Sequence, residues 1–218
     1  MPLILVNFKT YESAIGTRAV ELAKIHECIA LETGASIAIA VGALDITAVA
    51  AAVDIPVFAQ HVDMAGLGSY TGQLSPIAVR AAGAAGTLLN HSEHRMPERV
   101  AAAHAAAKAA GLITVTCVEN EAEAAQFAEL QPDFIAVEPP ELIGGDISIT
   151  TADPDIISQA NELIGGTALL VGAGVKTGAD VHTAIQLGAA GVLLASGITQ
   201  AADPAAVLRD LAGGLSNL

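Results

Sequence analysis

The sequence predicts a closed (βα)8 barrel, eight parallel strands with outer helices, as a single domain over residues 1–218. Three observations predict it. Eight short apolar runs alternate with longer Ala-rich segments that carry apolar residues at helical spacing, the pattern of parallel strands joined by crossover helices. Eight such units in 218 residues allow about 27 residues each, near the minimum for a barrel of this kind. The turn after the first run reads Asn7-Phe8-Lys9-Thr10-Tyr11, whereas the competing doubly wound open sheet would usually place a Gly-x-Gly-x-x-Gly turn there.

In chain order the strands are expected at 3–6, 37–41, 57–59, 86–89, 113–116, 134–137, 168–171 and 191–194. Most are too short for helices and are bounded by Gly, Pro or Asn. Helices are expected at 14–33, 97–110, 121–130, 154–164 and 179–187, with shorter ones in the second and third intervals. Pro97 fits a first helical turn, and Gly111 and Gly188 fit helix ends. No linker, low-complexity block or charge run divides the chain.

Composition narrows the function. Hydrophobic residues make up 53% of the chain, yet no apolar run approaches the roughly 18 residues of a membrane span. The opening Met1-Pro2-Leu3-Ile4-Leu5-Val6 lacks the basic flank of a signal peptide. A cytoplasmic protein with no membrane partner is expected. Acidic residues outnumber basic ones 23 to 9, a net charge of −14. With no basic stripe to neutralise phosphates, nucleic acid is excluded as a partner. The acidic residues are dispersed rather than blocked, and a dispersed acidic surface that salt would screen suggests a salt-loving source. Cys28 and Cys117 match neither a disulfide framework nor a metal site and are expected to be small buried hydrophobes.

In a barrel, chemistry sits on the rim where the strands end. The residues following the apolar runs include Asn7 and Lys9, Gln60 and His61, Asn90-His91-Ser92-Glu93, Cys117, Glu138, Gly172 with Gly174, and Ala195-Ser196-Gly197. The run 134–137 ends abruptly in Glu138, and Pro139-Pro140-Glu141-Leu142-Ile143-Gly144-Gly145 follows. Buried strands seldom finish on a carboxylate, which suits a general base at the barrel mouth with a lid over 139–145 attached to it. The competing reading is a solvated acid that starts a Pro-Pro turn. Lys9 could hold a phosphate, polarise a carbonyl oxygen or form a Schiff base. His91 opens a helical turn, a setting that disfavours imidazolium, so a neutral hydrogen-bond donor is expected. His94 should be exposed and His61 a packed polar residue beneath the rim, while His26, His104 and His182 lie in helical segments with no expected role. Gly172-Ala173-Gly174 and Ser196-Gly197 would let backbone N–H groups approach an anion.

Taken together these motifs resemble the triosephosphate isomerase family. The likeness rests on Asn7-Phe8-Lys9, Ala59-Gln60-His61, Tyr70-Thr71-Gly72, Asn90-His91-Ser92-Glu93, Val137 through Gly144, Gly172-Ala173-Gly174 and Leu193 through Gly197, in that order over essentially the whole chain. The short helices and the Glu138-Pro139-Pro140-Glu141-Leu142-Ile143 segment are similar to the compact archaeal branch, and the charge suggests a haloarchaeal member. The resemblance implies a TIM barrel that interconverts glyceraldehyde 3-phosphate and dihydroxyacetone phosphate, with neither metal nor cofactor. It implies Glu138 as the base, His91 as the electrophile, Lys9 as the cation near the substrate and Asn7 as a placer of the substrate oxygen. Glu93 is implied as a supporting partner behind them, and Ile143, Gly174, Ala195 and Ser196 as the phosphate site. Tyr70-Thr71-Gly72 resembles a loop that family members insert into a neighbouring subunit, which implies a homo-oligomer, dimer or tetramer. At the far hinge of the lid the family usually has Gly-Thr-Gly, and here the residues are Gly144-Gly145-Asp146. Asp146 adds charge near a phosphate route, and activity is expected to survive it. Two alternatives stand beside this reading: a Schiff-base aldolase using Lys9, and a non-catalytic barrel that binds phosphate ligands.

Overall fold

In a computed structural model of the chain, which describes residues 1–142 and 148–215, eight strands close into a parallel barrel in sequence order. They are β1 (Leu3–Asn7), β2 (Ser36–Val41), β3 (Val57–Ala59), β4 (Gly86–Leu89), β5 (Ile113–Val118), β6 (Phe134–Val137), β7 (Ala168–Val171) and β8 (Gly191–Leu194). The barrel closes where β1 pairs with β8, Leu3 opposite Gly191 and Val6 opposite Leu194. β5 runs two residues beyond its expected end, so Cys117 lies inside the strand rather than after it.

Strand alternation divides the apolar residues between two cores. Leu5, Ala38, Ala40, Phe58, Leu88, Val115, Cys117, Ala136, Leu170 and Leu193 pack inside the barrel. Their sequence neighbours, such as Ile4, Val6, Ile39, Ile135 and Val137, face outward and join the helix layer. The interior is narrow: a Cβ at Gly86 would lie 2.3 Å from the Phe58 ring. A small residue there makes room for the Phe58 ring.

The helices are α1 (Thr17–Thr33), α2 (Ile46–Ala50), α3 (Pro76–Ala81), α4 (Val100–Ala109), α5 (Glu121–Ala128), α6 (Ile149–Ala152), α7 (Pro154–Leu163), α8 (Gly178–Gln186), α9 (Ser196–Thr199) and α10 (Pro204–Leu215). Two expected helix starts are corrected. Residues Glu12–Ala14 form a separate 3-10 turn before α1. The helix expected from Pro97 begins at Val100, because Pro97 sits in a turn closed by the Arg99 N–H on the Met96 carbonyl. Gly34 and Gly111 follow α1 and α4 with φ of +72° and +75°, the left-handed backbone that ends helices. Cys28 is also corrected: it lies on the solvent face of α1, whereas Cys117 is buried as expected.

Four non-glycine residues among those described take positive φ: Lys9 at 49°, Asn90 at 61°, Gln131 at 56° and Ala173 at 66°. Three of them follow the ends of β1, β4 and β7. No helix among the described residues is long and apolar enough to cross a membrane, and no group of three or more His, Cys, Asp or Glu among them could hold a metal ion.

Candidate active site

The first strand delivers an amide and an ammonium. Asn7, the last residue of β1, is buried, and its Oδ1 accepts the backbone N–H of Lys9 at 3.0 Å. That bond, with the Gln60 amide donating to the Lys9 carbonyl at 3.0 Å, holds Lys9 in its left-handed turn. The Lys9 ammonium then reaches Glu93 Oε1 at 2.8 Å.

The fourth strand delivers an imidazole. Asn90 is buried beyond β4 and bridges two segments: its amide donates to the Cys117 carbonyl at 3.0 Å, and its Oδ1 accepts the Met96 N–H at 2.9 Å. His91 caps the 3-10 turn Ser92–His94, and its Nδ1 accepts the Glu93 N–H at 3.2 Å. A backbone N–H can only donate, so Nδ1 carries no proton and the neutral ring bears it on Nε2. Burial first, and the Lys9 charge second, lower the His91 pKa to about 4. The imidazole is therefore neutral as the sequence implied, although desolvation rather than the turn's dipole is the first cause.

The sixth strand delivers the carboxylate. Glu138 follows β6, and its N–H continues the ladder to the Val118 carbonyl at 2.9 Å. Its side chain is buried, and Oε2 lies 3.7 Å from His91 Nε2 with no hydrogen-bond partner. Burial raises its pKa to about 7, against the opposing pull of Lys9 and of a hydrogen bond with the Cys117 thiol. The solvated-acid reading of Glu138 is thereby ruled out. Gly172 also finds its reason here: a Cβ on it would stand 2.5 Å from Glu138 Cγ. The sequence reading assigned Gly172 to anion approach, and the structure gives it to the carboxylate instead. Neither the Cys117 contact nor the Asn90 bridge was foreseen. Strand alternation offers a signal for the first, since Cys117 pairs with Ala136 in the barrel interior, two residues short of Glu138.

A cavity of about 280 Å³ joins these groups. Asn7, Lys9, His91, Glu93 and Glu138 line it together with Gly174, Ala195, Ser196 and Gly197, and Tyr11 and Lys176 are added to the expected set. Ala195 precedes the short helix α9. Ile143 and the hinge at Gly144, Gly145 and Asp146 lie outside the described residues, and of the expected lid the 3-10 turn Pro140–Leu142 is described. Of the other histidines, His61 is not packed beneath the rim: it is half-buried, paired with Asp63 and stacked on the exposed His94. His26 is fully buried in α1, where Nδ1 bonds the Leu22 carbonyl at 2.7 Å.

A neutral imidazole donor facing a desolvated carboxylate, with an ammonium beside both, suits proton transfer next to a carbonyl. Comparison with known proteins agrees with that chemistry. The family model described as triosephosphate isomerase matches residues 2–211. The chain belongs to the triosephosphate isomerase family. Among curated members it is 45% identical over 215 residues to the triosephosphate isomerase of Methanosarcina acetivorans, covering 96% of this chain and 97% of that one. It is 46% identical over 218 residues to that of Metallosphaera sedula, covering 98% and 96%. The crystal structure of triosephosphate isomerase from Bartonella henselae superposes with a TM-score of 0.77 at 18% identity, covering 98% of each chain, a likeness of fold. Archaeal methanogens and Metallosphaera are among its relatives.

Proposed function

We propose that this chain interconverts glyceraldehyde 3-phosphate and dihydroxyacetone phosphate through an enediolate, in glycolysis and gluconeogenesis. The observation that carries the reading is the Glu138 Oε2 to His91 Nε2 approach of 3.7 Å, between an unpartnered buried carboxylate oxygen and an N–H of a neutral ring. In this scheme Glu138 takes the proton from one substrate carbon and returns it to the adjacent one. Electron density moves onto the carbonyl oxygen as the C–H bond breaks. His91 Nε2–H and the Lys9 ammonium stabilise that oxygen, with Asn7 helping to place it and Glu93 fixing Lys9. Gly174, Ala195 and Ser196, which line the same cavity, take the phosphate, with Ile143, outside the described residues, expected to join them. No cofactor enters the scheme.

The reading extends to the whole protein: a cytoplasmic, single-domain barrel from a haloarchaeal, salt-loving source, working as a homo-oligomer. Support for the last point is a row of exposed apolar residues, Met64, Leu67 and Tyr70, on the β3–α3 connection. A coupled assay with glyceraldehyde 3-phosphate tests the activity. Wild-type protein should turn over and Glu138→Gln should lose about four orders of magnitude in kcat, since the amide cannot accept the proton. A Glu138→Gln variant with wild-type kcat/KM would remove Glu138 from the mechanism, and an inactive wild type would leave only a phosphate-ligand binder.

A further inference from the structure

Two imidazoles stand face to face on the rim and take no part in the chemistry above. The His61 ring, just beyond β3, stacks on that of His94 with centroids 4.2 Å apart and planes 26° from parallel. His94 ends the turn that His91 caps, and its N–H donates to the His91 carbonyl at 2.7 Å. On the other side His61 Nε2 lies 3.3 Å from Asp63 Oδ1. Asp63 in turn is tied twice to Leu74: its Oδ2 accepts the Leu74 N–H at 2.7 Å, and its own N–H donates to the Leu74 carbonyl at 2.9 Å. The stack therefore joins a loop closed at its base to the turn that carries the electrophile. A cavity of about 180 Å³ is lined by both rings together with Asn7, Lys9, His91 and Glu93.

We propose that the His61–His94 stack is a positioning pair for the isomerisation, holding the turn Ser92–His94 so that His91 Nε2 and Glu93 keep their places. The inference rests on the isomerase reading. A three-residue 3-10 turn has little stability of its own, and the buried Ser92 hydroxyl within it has no partner. The turn must be fixed from outside, and the stack is the contact at its far end. Arg95, one residue on, is fixed separately by Glu123. Charge favours the stack at neutral pH. The groups around it are Asp63, Glu93 and Glu98 on the acidic side and Lys9, Arg95, Arg99 and His91 on the basic side or neutral. Burial first, and His94 after it, lower the His61 pKa, while Asp63 opposes them. His61 is uncharged near neutrality, so the rings meet without repulsion.

The test compares His94→Ala, which removes the ring, with His94→Phe, which keeps a ring and loses the nitrogens. His94→Ala should lower kcat roughly tenfold with KM within about twofold of wild type, and His94→Phe should bring kcat back to within about twofold. Nitrogen NMR of the His91 ring gives a reading free of turnover. Its Nδ1 signal, set by the bond from the Glu93 N–H, should shift or broaden in His94→Ala and recover in His94→Phe. Should His94→Ala fail to fold, His61→Leu against His61→Phe poses the same question from the other ring. Wild-type kcat with an unmoved His91 signal in the ring-less variant would overturn the proposal, as would a phenylalanine variant no better than the alanine one. A wild-type protein that turns nothing over would sink the isomerase reading instead, and the His91 signal would still judge the stack.

Discussion

In the proposed scheme Glu138 owes its reactivity to burial. An ordinary glutamate is ionised well below neutrality, but burial raises this one to about 7. As the proposed base, Glu138 would act only when deprotonated, so kcat/KM of the free enzyme should climb with pH and level off above about 7. A limb centred near the ordinary value of 4.5 would mean that water reaches the carboxylate in the working enzyme. His91 titrates near 4 and stays neutral through this range, so it adds no second limb there. Gly172 makes a sharper test of placement. Because a Cβ there would overlap Glu138 Cγ at 2.5 Å, Gly172→Ala should cost roughly a hundredfold in kcat with the fold intact by circular dichroism. Wild-type kcat in that variant would show that Glu138 has more freedom than its packing implies. At this scale the sequence singles out Asn7, Lys9, His91 and Glu138, which line one cavity, because a charged or polar residue ending an apolar run is conspicuous. It could not see the Cys117 thiol under Glu138 or the fit of Gly172 against it, since both depend on neighbours from other strands. Cys28 was misjudged because residue type alone does not say which face of a helix a side chain occupies.

The elements that carry these groups are short, and their connections do much of the positioning. Asn90 is the clearest case. It links the end of β4 to the Cys117 carbonyl in β5 and to the Met96 N–H, thereby holding both ends of the segment that bears His91. Asn90→Ala would leave a buried carbonyl and N–H without partners, in a backbone conformation with φ of 61° that alanine adopts poorly. It should lower stability by about 2–4 kcal/mol in denaturant melts and reduce kcat as well. A melt within about 0.5 kcal/mol of wild type would show that water replaces both bonds. All eight strands were legible because continuous apolar runs bounded by Gly, Pro or Asn are what a strand buried on both faces requires. The starts of α1 and α4 were not. Pro97 satisfies the rule for a first helical turn, yet the bond from Arg99 to Met96 closes a separate turn there and delays the helix to Val100. Local sequence offered two acceptable sites, and the tertiary fold chose between them.

The whole molecule carries a net charge of −14 spread over its surface. Several acids are neutralised locally: Glu32 by Arg209, Asp133 by Lys108, and Glu123 by Arg95. With nine basic residues against 23 acidic ones, most of the charge remains unbalanced. Salt screens such repulsion over a length of about 10 Å at 0.1 M and about 3 Å at 1 M. The thermal midpoint should therefore rise by several degrees between about 0.1 M and 2 M KCl, by a ΔΔG on the order of 1–3 kcal/mol. A midpoint indifferent to salt would separate the acidic composition from any adaptation to brine. The composition was fully legible in the sequence, but the distribution of ion pairs was not, because partners such as Arg209 and Glu32 are 177 residues apart in the chain.

The left-handed residues at Lys9, Asn90 and Ala173 carry one further consequence. The barrel's two ends are built to different tolerances. At the end remote from the cavity, glycine turns such as those at Gly34 and Gly111 close helices and Gln131 alone among the described non-glycine residues there is left-handed, whereas three such residues stand at the working end. An engineer seeking a hardier version could relax Gln131 at the far end without disturbing turnover. The same easing at Ala173 would act on a residue that lines the cavity itself.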